Sequence, residues 1–311
     1  MLPTSFRRLP ISDPRVSLCM IQKNEAANLP RCIASVRDLV SEIIIADTGS
    51  TDCSISLARS LGAHVFSVPW ADDFSGPRNA TLARASCEWI LILDPDETIS
   101  PLDLERFRSA LRSAPVSAFR LHTRNYTGNP TQQGAVPCDS RYAEARGFPS
   151  FVQSTKTRLF RRALGLKFRG AWHELLDWDI QERQIPVGYL DVPVHHFPLK
   201  AHSAGGKKKS LFYLQLGLKK VKEWPLNGHA WHELFVAYMV LKDWRAAAFC
   251  AGRCSHLGVI SPDRFFGMAR ALNELNMPDL GRLAFEKGIC LLYPHLTHIE
   301  PDKRSLSDLS C

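Results

Sequence analysis

The sequence lacks any apolar run near the length of a membrane-spanning helix, which is about 20 residues. Its first stretch, 1–14, contains Arg7 and Arg8 but no apolar core of a secretory signal, so we expect no signal peptide. The nine cysteines are odd in number and include no Cys-x-x-Cys pair. This pattern excludes a disulfide framework and predicts reduced thiols in a cytoplasmic protein.

Two glycine-rich phosphate loops are also missing. No Gly-x-Gly-x-x-Gly follows the first predicted strand, and no Gly-x-x-x-x-Gly-Lys-Ser/Thr occurs in the chain. Dinucleotide-binding and P-loop functions therefore lose their main support. A sugar-phosphate nucleotidyltransferase is disfavoured for a similar reason, because that class usually has a glycine-rich loop after its first strand.

Acidic residues are absent from 205–222, where lysines cluster, and the whole chain has a formal net charge of +8. Such a charge favours acidic partners, including a nucleotide, a phosphorylated saccharide or a membrane surface. An apolar stripe runs through the same segment, so we interpret the lysines as the solvated face of a helix, with peripheral contact at the inner face of a membrane as the minor alternative. Few aromatic residues lie among the lysines, so no nucleic-acid partner is expected.

The most informative stretch is Trp89 to Glu97. Four apolar residues, 90–93, predict a buried strand, and Asp94, Asp96 and Glu97 follow it directly. Residues two apart on an extended chain point the same way, so we expect Asp94 and Asp96 to face one spot at the carboxyl end of the strand, where open α/β sheets bind ligands. Mg²⁺ or Mn²⁺ together with a substrate phosphate would suit these carboxylates. A solvated acidic turn is the alternative.

Strands and helices alternate through the first half of the chain. The apolar patterns predict strands at 16–22, 42–47, 64–68, 89–93 and 118–123, with helices between them, and further strands at 151–162 and 185–197. Uninterrupted apolar strands that alternate with helices indicate a mostly parallel sheet covered on both faces, and hence the α/β class. The stretch 127–149 is predicted to be a long loop that serves as a lid or binding segment.

The pattern changes to helices after Gly205-Gly206. Residues of matching type recur 34 positions apart, the period of a tetratricopeptide-type helical hairpin; the pairs are Trp231 and Phe265, Leu234 and Met268, Tyr238 and Leu272, and Ala247 and Gly281. We count two repeats at most after a leading helix. The expected domains are therefore 12–204 and 205–295, with flexible tails at 1–11 and 296–311.

Four segments in order resemble family 2 glycosyltransferases. They are Asn24-Glu25, Ile44-Ile-Ala-Asp47-Thr-Gly-Ser-Thr-Asp52, Gly76-Pro-Arg78-Asn79 and Trp89 to Glu97. The bacterial subgroup that contains lipooligosaccharide-core β-glucosyltransferases and peptide S-glucosyltransferases is the most similar, and many of its members carry tetratricopeptide-like helices after the catalytic domain. The resemblance covers about 16–197.

The resemblance implies a GT-A nucleotide-sugar-binding fold with the donor across the carboxyl ends of the first strands. Asn24 and Glu25 would line the donor site, and Asp47 would hold uracil or ribose, although Thr48 replaces a frequent second acid. Arg78 would approach the nucleotide or its diphosphate. Asp94 would contact ribose or metal, and Asp96 would be the main metal ligand.

The resemblance also implies an inverting transfer with a carboxylate base. The candidate is Glu174, in a Trp-His-Glu segment, with His173 as a further metal ligand or as a group that orients Glu174. His195 and His196 are second candidates for a metal ligand, and strand alternation allows at most one of them to face the site.

The sequence thus predicts a metal-dependent hexosyltransferase that uses a nucleotide sugar, with UDP as the expected nucleotide. A saccharide, a lipid-linked saccharide or a peptide would be the acceptor. A helical-repeat binding protein with a non-catalytic first domain is the alternative from another class.

Overall fold

A computed structural model of the chain describes residues 14–132, 134–171, 174–197 and 206–293, without the side chains of 206–209. The chain divides into two compact units, Met1–His202 and Ser203–Cys311. None of the described helices combines the length and the apolar composition needed to cross a bilayer.

The first unit begins with four parallel strands. They are β1 (Val16–Gln22), β2 (Glu42–Asp47), β3 (His64–Ser67) and β4 (Trp89–Ile92), and they lie side by side in the order β3-β2-β1-β4. Three helices connect them: α1 (Leu29–Val36), α2 (Ser54–Ser60) and α3 (Ser75–Leu82). The strand order reverses between β1 and β4, and such a reversal leaves a crevice at the carboxyl ends of the strands.

The sheet continues beyond β4 with strands of both directions, giving the order β3-β2-β1-β4-β8-β6-β10-β5. The added elements are β5 (Glu97–Ile99), α4 (Leu104–Arg112), β6 (Ala118–Thr127), β7 (Ala135–Pro137), β8 (Ser150–Arg161), α5 (Asp177–Glu182), β9 (Gly188–Tyr189) and β10 (Val194–His196). The expected α/β class is confirmed. The strand expected at 185–197 is instead divided into β9 and β10, because Pro193 has no N–H to donate to a ladder.

Both faces of β1, β2 and β4 are buried, as the unbroken apolar runs predict, whereas β3 at the edge of the sheet is partly exposed. Leu91 belongs to the core that α1 and α4 cover, whereas its neighbours Ile90 and Ile92 belong to the core that includes Phe160, Leu82 of α3 and Ile180 of α5. The predicted loop at 127–149 contains β7, which pairs with β8, and a short 3-10 turn at Ala143–Ala145. Part of this segment is therefore an extension of the sheet.

The second unit consists, in its described part, of α6 (Gly206–Glu223), α7 (Gly228–Leu241), α8 (Trp244–His256), α9 (Pro262–Glu274) and α10 (Pro278–Leu292). Helices α7 and α9 begin 34 residues apart, and so do α8 and α10, which matches the sequence period. Leu234 and Met268 are both buried in the shared core. A Cβ on Gly281 would lie 3.1 Å from the backbone oxygen of Ala269, so this glycine permits the close approach of α10 to α9.

Candidate active site

Three acidic residues follow β4 at the edge where the strand order reverses, and each contacts a different basic side chain. Strand β4 ends at Ile92, residues 93–94 are irregular and 95–96 form a turn, so the strand does not continue. The period-two argument for Asp94 and Asp96 therefore does not apply, and the expectation that both face one spot is wrong in its detail. The two carboxylates contact different groups on either side of the turn.

Asp94 pairs with Arg78 of α3. Nη2 of Arg78 donates to Oδ1 of Asp94 at 2.7 Å, and Nε of the same guanidinium donates to Oε1 of Glu174. Arg78 is 8% exposed. Burial alone would raise the pKa of Asp94 and lower that of Arg78, but their mutual attraction outweighs burial, so the pKa of Asp94 is held well below its usual range and that of Arg78 is raised. The structure thus brings together three residues that the sequence placed in the site.

Glu97 pairs with Arg158 of β8, an interaction that the sequence analysis missed. The two Nη atoms of Arg158 donate to the two carboxylate oxygens at 2.7 and 2.6 Å, and both side chains are buried. Oε2 of Glu97 also accepts the backbone N–H of Asp94 at 2.9 Å. This buried ion pair, in which both Nη atoms of Arg158 contact both oxygens of Glu97 and which we call the buried fork, therefore fixes the turn that carries Asp94 and Asp96.

Arg158 reaches Glu97 with the help of a β-bulge. Phe119 of β6 pairs with Leu159, but the next residue, Arg120, pairs with Thr157, so no residue of β6 lies opposite Arg158 in the strand register. A bulge of this kind changes the direction of side chains and often lies beside a functional site. No local sequence signal marks it, because the bulge depends on which residues of two distant strands are paired.

Asp96 lies against His196 of β10. Nε2 of His196 is 3.2 Å from Oδ2 of Asp96, and Nδ1 is 2.9 Å from Oδ1 of Asn125. Nδ2 of Asn125 donates to the carbonyl of Val152 at 2.9 Å, which fixes the amide so that its oxygen faces His196. Nδ1 of His196 must then donate, and a neutral ring would present the lone pair of Nε2 to the carboxylate.

The lone pair of Nε2 of His196 and a lone pair of Oδ2 of Asp96 repel each other at 3.2 Å unless a cation lies between them. A proton is one solution, and Asp96 indeed raises the pKa of His196 against the lowering effect of burial. A divalent ion is the other, because two neighbouring ligands of an octahedral ion, each about 2.1 Å from it, lie about 3.0 Å apart. The pair therefore fits a metal ion as well as it fits a proton.

The neighbouring histidines differ. His195 points to the opposite face of β10, where it is 0% exposed and its Nδ1 lies 2.7 Å from the hydroxyl of Tyr126. Burial lowers its pKa to about 3.

His173, the expected metal ligand, lies outside the described residues. Within the described part of the chain, no group of three or more His, Cys, Asp or Glu side chains could hold a metal ion alone, so the substrate would have to complete the coordination of any ion at Asp96 and His196.

Asp47 and Asn24, which the sequence analysis placed in the donor site, use their side chains to hold the loops after β2 and β1 in shape. The carboxylate of Asp47 is 2% exposed and accepts hydrogen bonds from the backbone of Gly49 and Ser50, both at 2.9 Å. Burial would raise the pKa of Asp47, but hydrogen bonds lower it, first that from the Ser50 hydroxyl and then those from the two backbone N–H groups. Oδ1 of Asn24 accepts the N–H of Thr51 at 2.7 Å, which ties the loop after β1 to the loop after β2.

Glu25 shares the electrostatic environment of the acidic edge. Its pKa is raised first by burial and then by the charges of Asp96 and Asp94, against a hydrogen bond from Asn28. The loop after β1 and the turn after β4 therefore meet at one edge of the sheet, as the sequence analysis expected.

A small open cavity adjoins Arg78 and Asp94. Its walls come from α3, the end of β4, the bulged part of β8, Phe168 and residues 174–177. The lining residues are Arg78, Ile92, Asp94, Lys156, Thr157, Arg158, Phe168, Glu174, Leu175, Leu176 and Asp177. An acid, Glu174, thus faces a cavity beside the acidic edge, which is the arrangement that proton removal from a bound hydroxyl or thiol requires.

Comparisons with known proteins show which sequences and folds this chain is similar to. Residues 17–165 match the family model described as "Glycosyl transferase family 2". A TPR repeat-containing protein of Synechococcus elongatus is 39% identical over 163 residues, which are 52% of this chain and 36% of that protein. An uncharacterized glycosyltransferase of Rickettsia felis is 38% identical over 86 residues, or 28% of this chain and 30% of that protein. The chain thus spans about a third of the length of these curated relatives.

Among solved structures, TarS 1–349 of S. aureus, crystallised with UDP-GlcNAc, is similar with a TM-score of 0.51 and 12% identity. The match covers 88% of this chain and 90% of that chain. A likeness at this identity shows the fold alone, and it confirms the GT-A fold.

Proposed function

Because residues 17–165 match the family 2 glycosyltransferase model, we propose that the protein transfers a hexose from a UDP-sugar to an acceptor with inversion at the anomeric carbon. The acceptor is a saccharide, a lipid-linked saccharide or a peptide. The reaction depends on Mg²⁺ or Mn²⁺. The observation that carries this proposal is the meeting of Asp96, His196, Arg78 and Glu174 at the edge where the strand order reverses.

Asp96 and His196 are the proposed ligands of the divalent ion. Asn125 orients the imidazole by accepting from Nδ1, which directs Nε2 toward the ion, a role that such partners commonly have at metal sites. When bound, the ion would offset the negative charge that develops on the departing diphosphate. His196 thereby takes the place for which the sequence analysis proposed His173.

Glu174 is the proposed base. The acceptor's O–H or S–H proton moves to a carboxylate oxygen of Glu174 while the acceptor atom forms its bond to the anomeric carbon. The bond from that carbon to the diphosphate oxygen breaks, and its electron pair leaves with UDP. Arg78 holds one oxygen of Glu174 through Nε, so the carboxylate has a fixed direction before the acceptor arrives.

Asn24, Glu25 and Asp47 are proposed to form the nucleoside end of the donor site. Asp47 uses its carboxylate on its own loop, so its contribution is the shape of that loop, and the loop backbone is what the nucleoside would meet. Asp94 lies between this end and the base, where it also holds Arg78.

The test is UDP release from UDP-hexoses in the presence of Mn²⁺, with water as the acceptor because the natural one is not identified. We expect Asp96→Asn to weaken Mn²⁺ binding by about 10- to 100-fold and to remove metal-dependent UDP release. Asp38→Asn is the matched control, since Asp38 is exposed and lies outside the site. Turnover in Asp96→Asn equal to that of the parent, with or without Mn²⁺, would refute the assignment.

A further inference from the structure

The charged side chains that line the cavity are almost all paired. Arg78 is neutralised by two carboxylates, Asp94 and Glu174. A guanidinium held by two acids has little remaining charge to offer a phosphate. For a phosphate oxygen only its Nη1 is left to donate, because that atom has no hydrogen-bond partner among the described residues.

The other arginine and the other acid of the lining are paired as well. Arg158 forms its fork with Glu97, and Asp177 accepts from Nη2 of Arg120 at 2.7 Å. Both groups therefore already have an oppositely charged partner within the protein.

Lys156 differs from the other charged residues of the cavity lining. Its side chain is exposed, and among the described residues its ammonium has no carboxylate within ion-pairing distance. Lys156 lines the same cavity as Asp94 and Glu174. Lys156 is therefore a cation in the cavity that can accept an anion without giving up a protein partner.

Lys156 lies just before the bulge in β8. It pairs in regular register with Leu121 of β6, and the extra residue of the bulge is Arg158. Lys156, Thr157 and Arg158 all line the cavity that Glu174 also lines. Lys156 therefore brings a positive charge to the same cavity as the proposed base.

We propose that Lys156 binds an anionic oxygen, of phosphate or carboxylate, on the ligand that occupies this cavity beside Glu174. A flexible ammonium suits such an oxygen because it needs no fixed geometry. The identity of the ligand rests on the proposed function: the oxygen belongs either to the donor diphosphate or to an acidic group on the acceptor. The free ammonium itself does not depend on that function.

The experiment compares Lys156→Met with Lys167→Met. Lys167 is also exposed but does not line the cavity, so both variants remove one surface lysine. The donor arm is calorimetric titration of the full chain with UDP and Mn²⁺. The acceptor arm is titration with inorganic phosphate after saturation with UDP and Mn²⁺. We expect Lys156→Met to lose about tenfold in affinity in one arm, Lys156→Arg to recover most of it, and Lys167→Met to match the parent.

The arm that responds identifies the source of the anion. A loss with UDP assigns Lys156 to the donor, and a loss only with inorganic phosphate assigns it to the acceptor. If Lys156→Met matches Lys167→Met in both arms, Lys156 is a solvated surface lysine and the proposal is overturned. If the parent binds no UDP, the proposed function fails, and phosphate titration of the nucleotide-free protein then decides the role of Lys156.

Discussion

The buried fork between Arg158 and Glu97 yields a sharp prediction about stability. The exposed fractions of the two side chains are 3% and 4%, so neither is solvated by water. Arg158→Met preserves much of the side-chain volume but leaves the carboxylate of Glu97 buried without its cation. Breaking a buried ion pair in this way costs about 3–5 kcal/mol, and we expect the free energy of unfolding to fall by that amount.

The chain offers a matched control on the same strand. Arg161 pairs with Glu88, but these side chains are 35% and 48% exposed. Arg161→Met should therefore cost no more than about 1 kcal/mol. Urea unfolding followed by circular dichroism measures both variants, and because the chain has two units, only the transition that shifts is compared.

A second substitution tests the cause of the loss. In the double variant Arg158→Met, Glu97→Met, no charge remains buried, so stability should recover toward that of the parent. It should remain lower by about 1 kcal/mol, because the N–H of Asp94 loses its acceptor. If the double variant is no more stable than Arg158→Met, or if Arg158→Met costs no more than Arg161→Met, the electrostatic reasoning is wrong.

Two further predictions concern the site and its surroundings. Arg78→Lys should lower the rate of UDP release by about 10²-fold with little change in the donor KM. The reason is that the compact ammonium of lysine cannot hold both Glu174 and Asp94 as the planar guanidinium of Arg78 does. An unchanged rate in steady-state assays would contradict this role. Burial lowers the pKa of His195 to about 3. Below about pH 6.5, the ordinary pKa of histidine, the folded state therefore binds fewer protons than the unfolded state. The free energy of unfolding should accordingly fall as the pH drops from about 6.5 toward 3. Urea unfolding should show a smaller fall in His195→Asn, whereas the exposed control His64→Asn should follow the parent.

Much of the fold could be predicted because its parallel strands are buried on both faces. Unbroken apolar runs gave β1 and β2 the bounds that the structure has. Strand β5 was missed because it has three residues and begins inside the acidic cluster. Helix α5 was missed because its six residues are too few to show a helical period.

The site could be predicted only in part. Local motifs identified Arg78, Asp94 and Asp96 because each lies near the end of a strand or the start of a helix. The partner of Asp96 is 100 positions away in the chain, and the sequence left two adjacent histidines open. Choosing His196 requires the register of β10 against β6, in which it lies opposite Asn125. Register between distant strands is a tertiary property that a single sequence does not reveal.

The three acids after β4 would repel one another without compensation, and the nature of each partner decides which acid can serve a metal ion. Arginine does not give up its proton, so Asp94 and Glu97 keep their cationic partners at every working pH. The partner of Asp96 is an imidazole, whose proton can leave. In the proposed function, Asp96 and His196 would therefore be the pair that exchanges a proton for a divalent ion. This difference between the partners is the reason why the proposal gives the metal to Asp96 and the positioning of the base to Asp94 and Arg78.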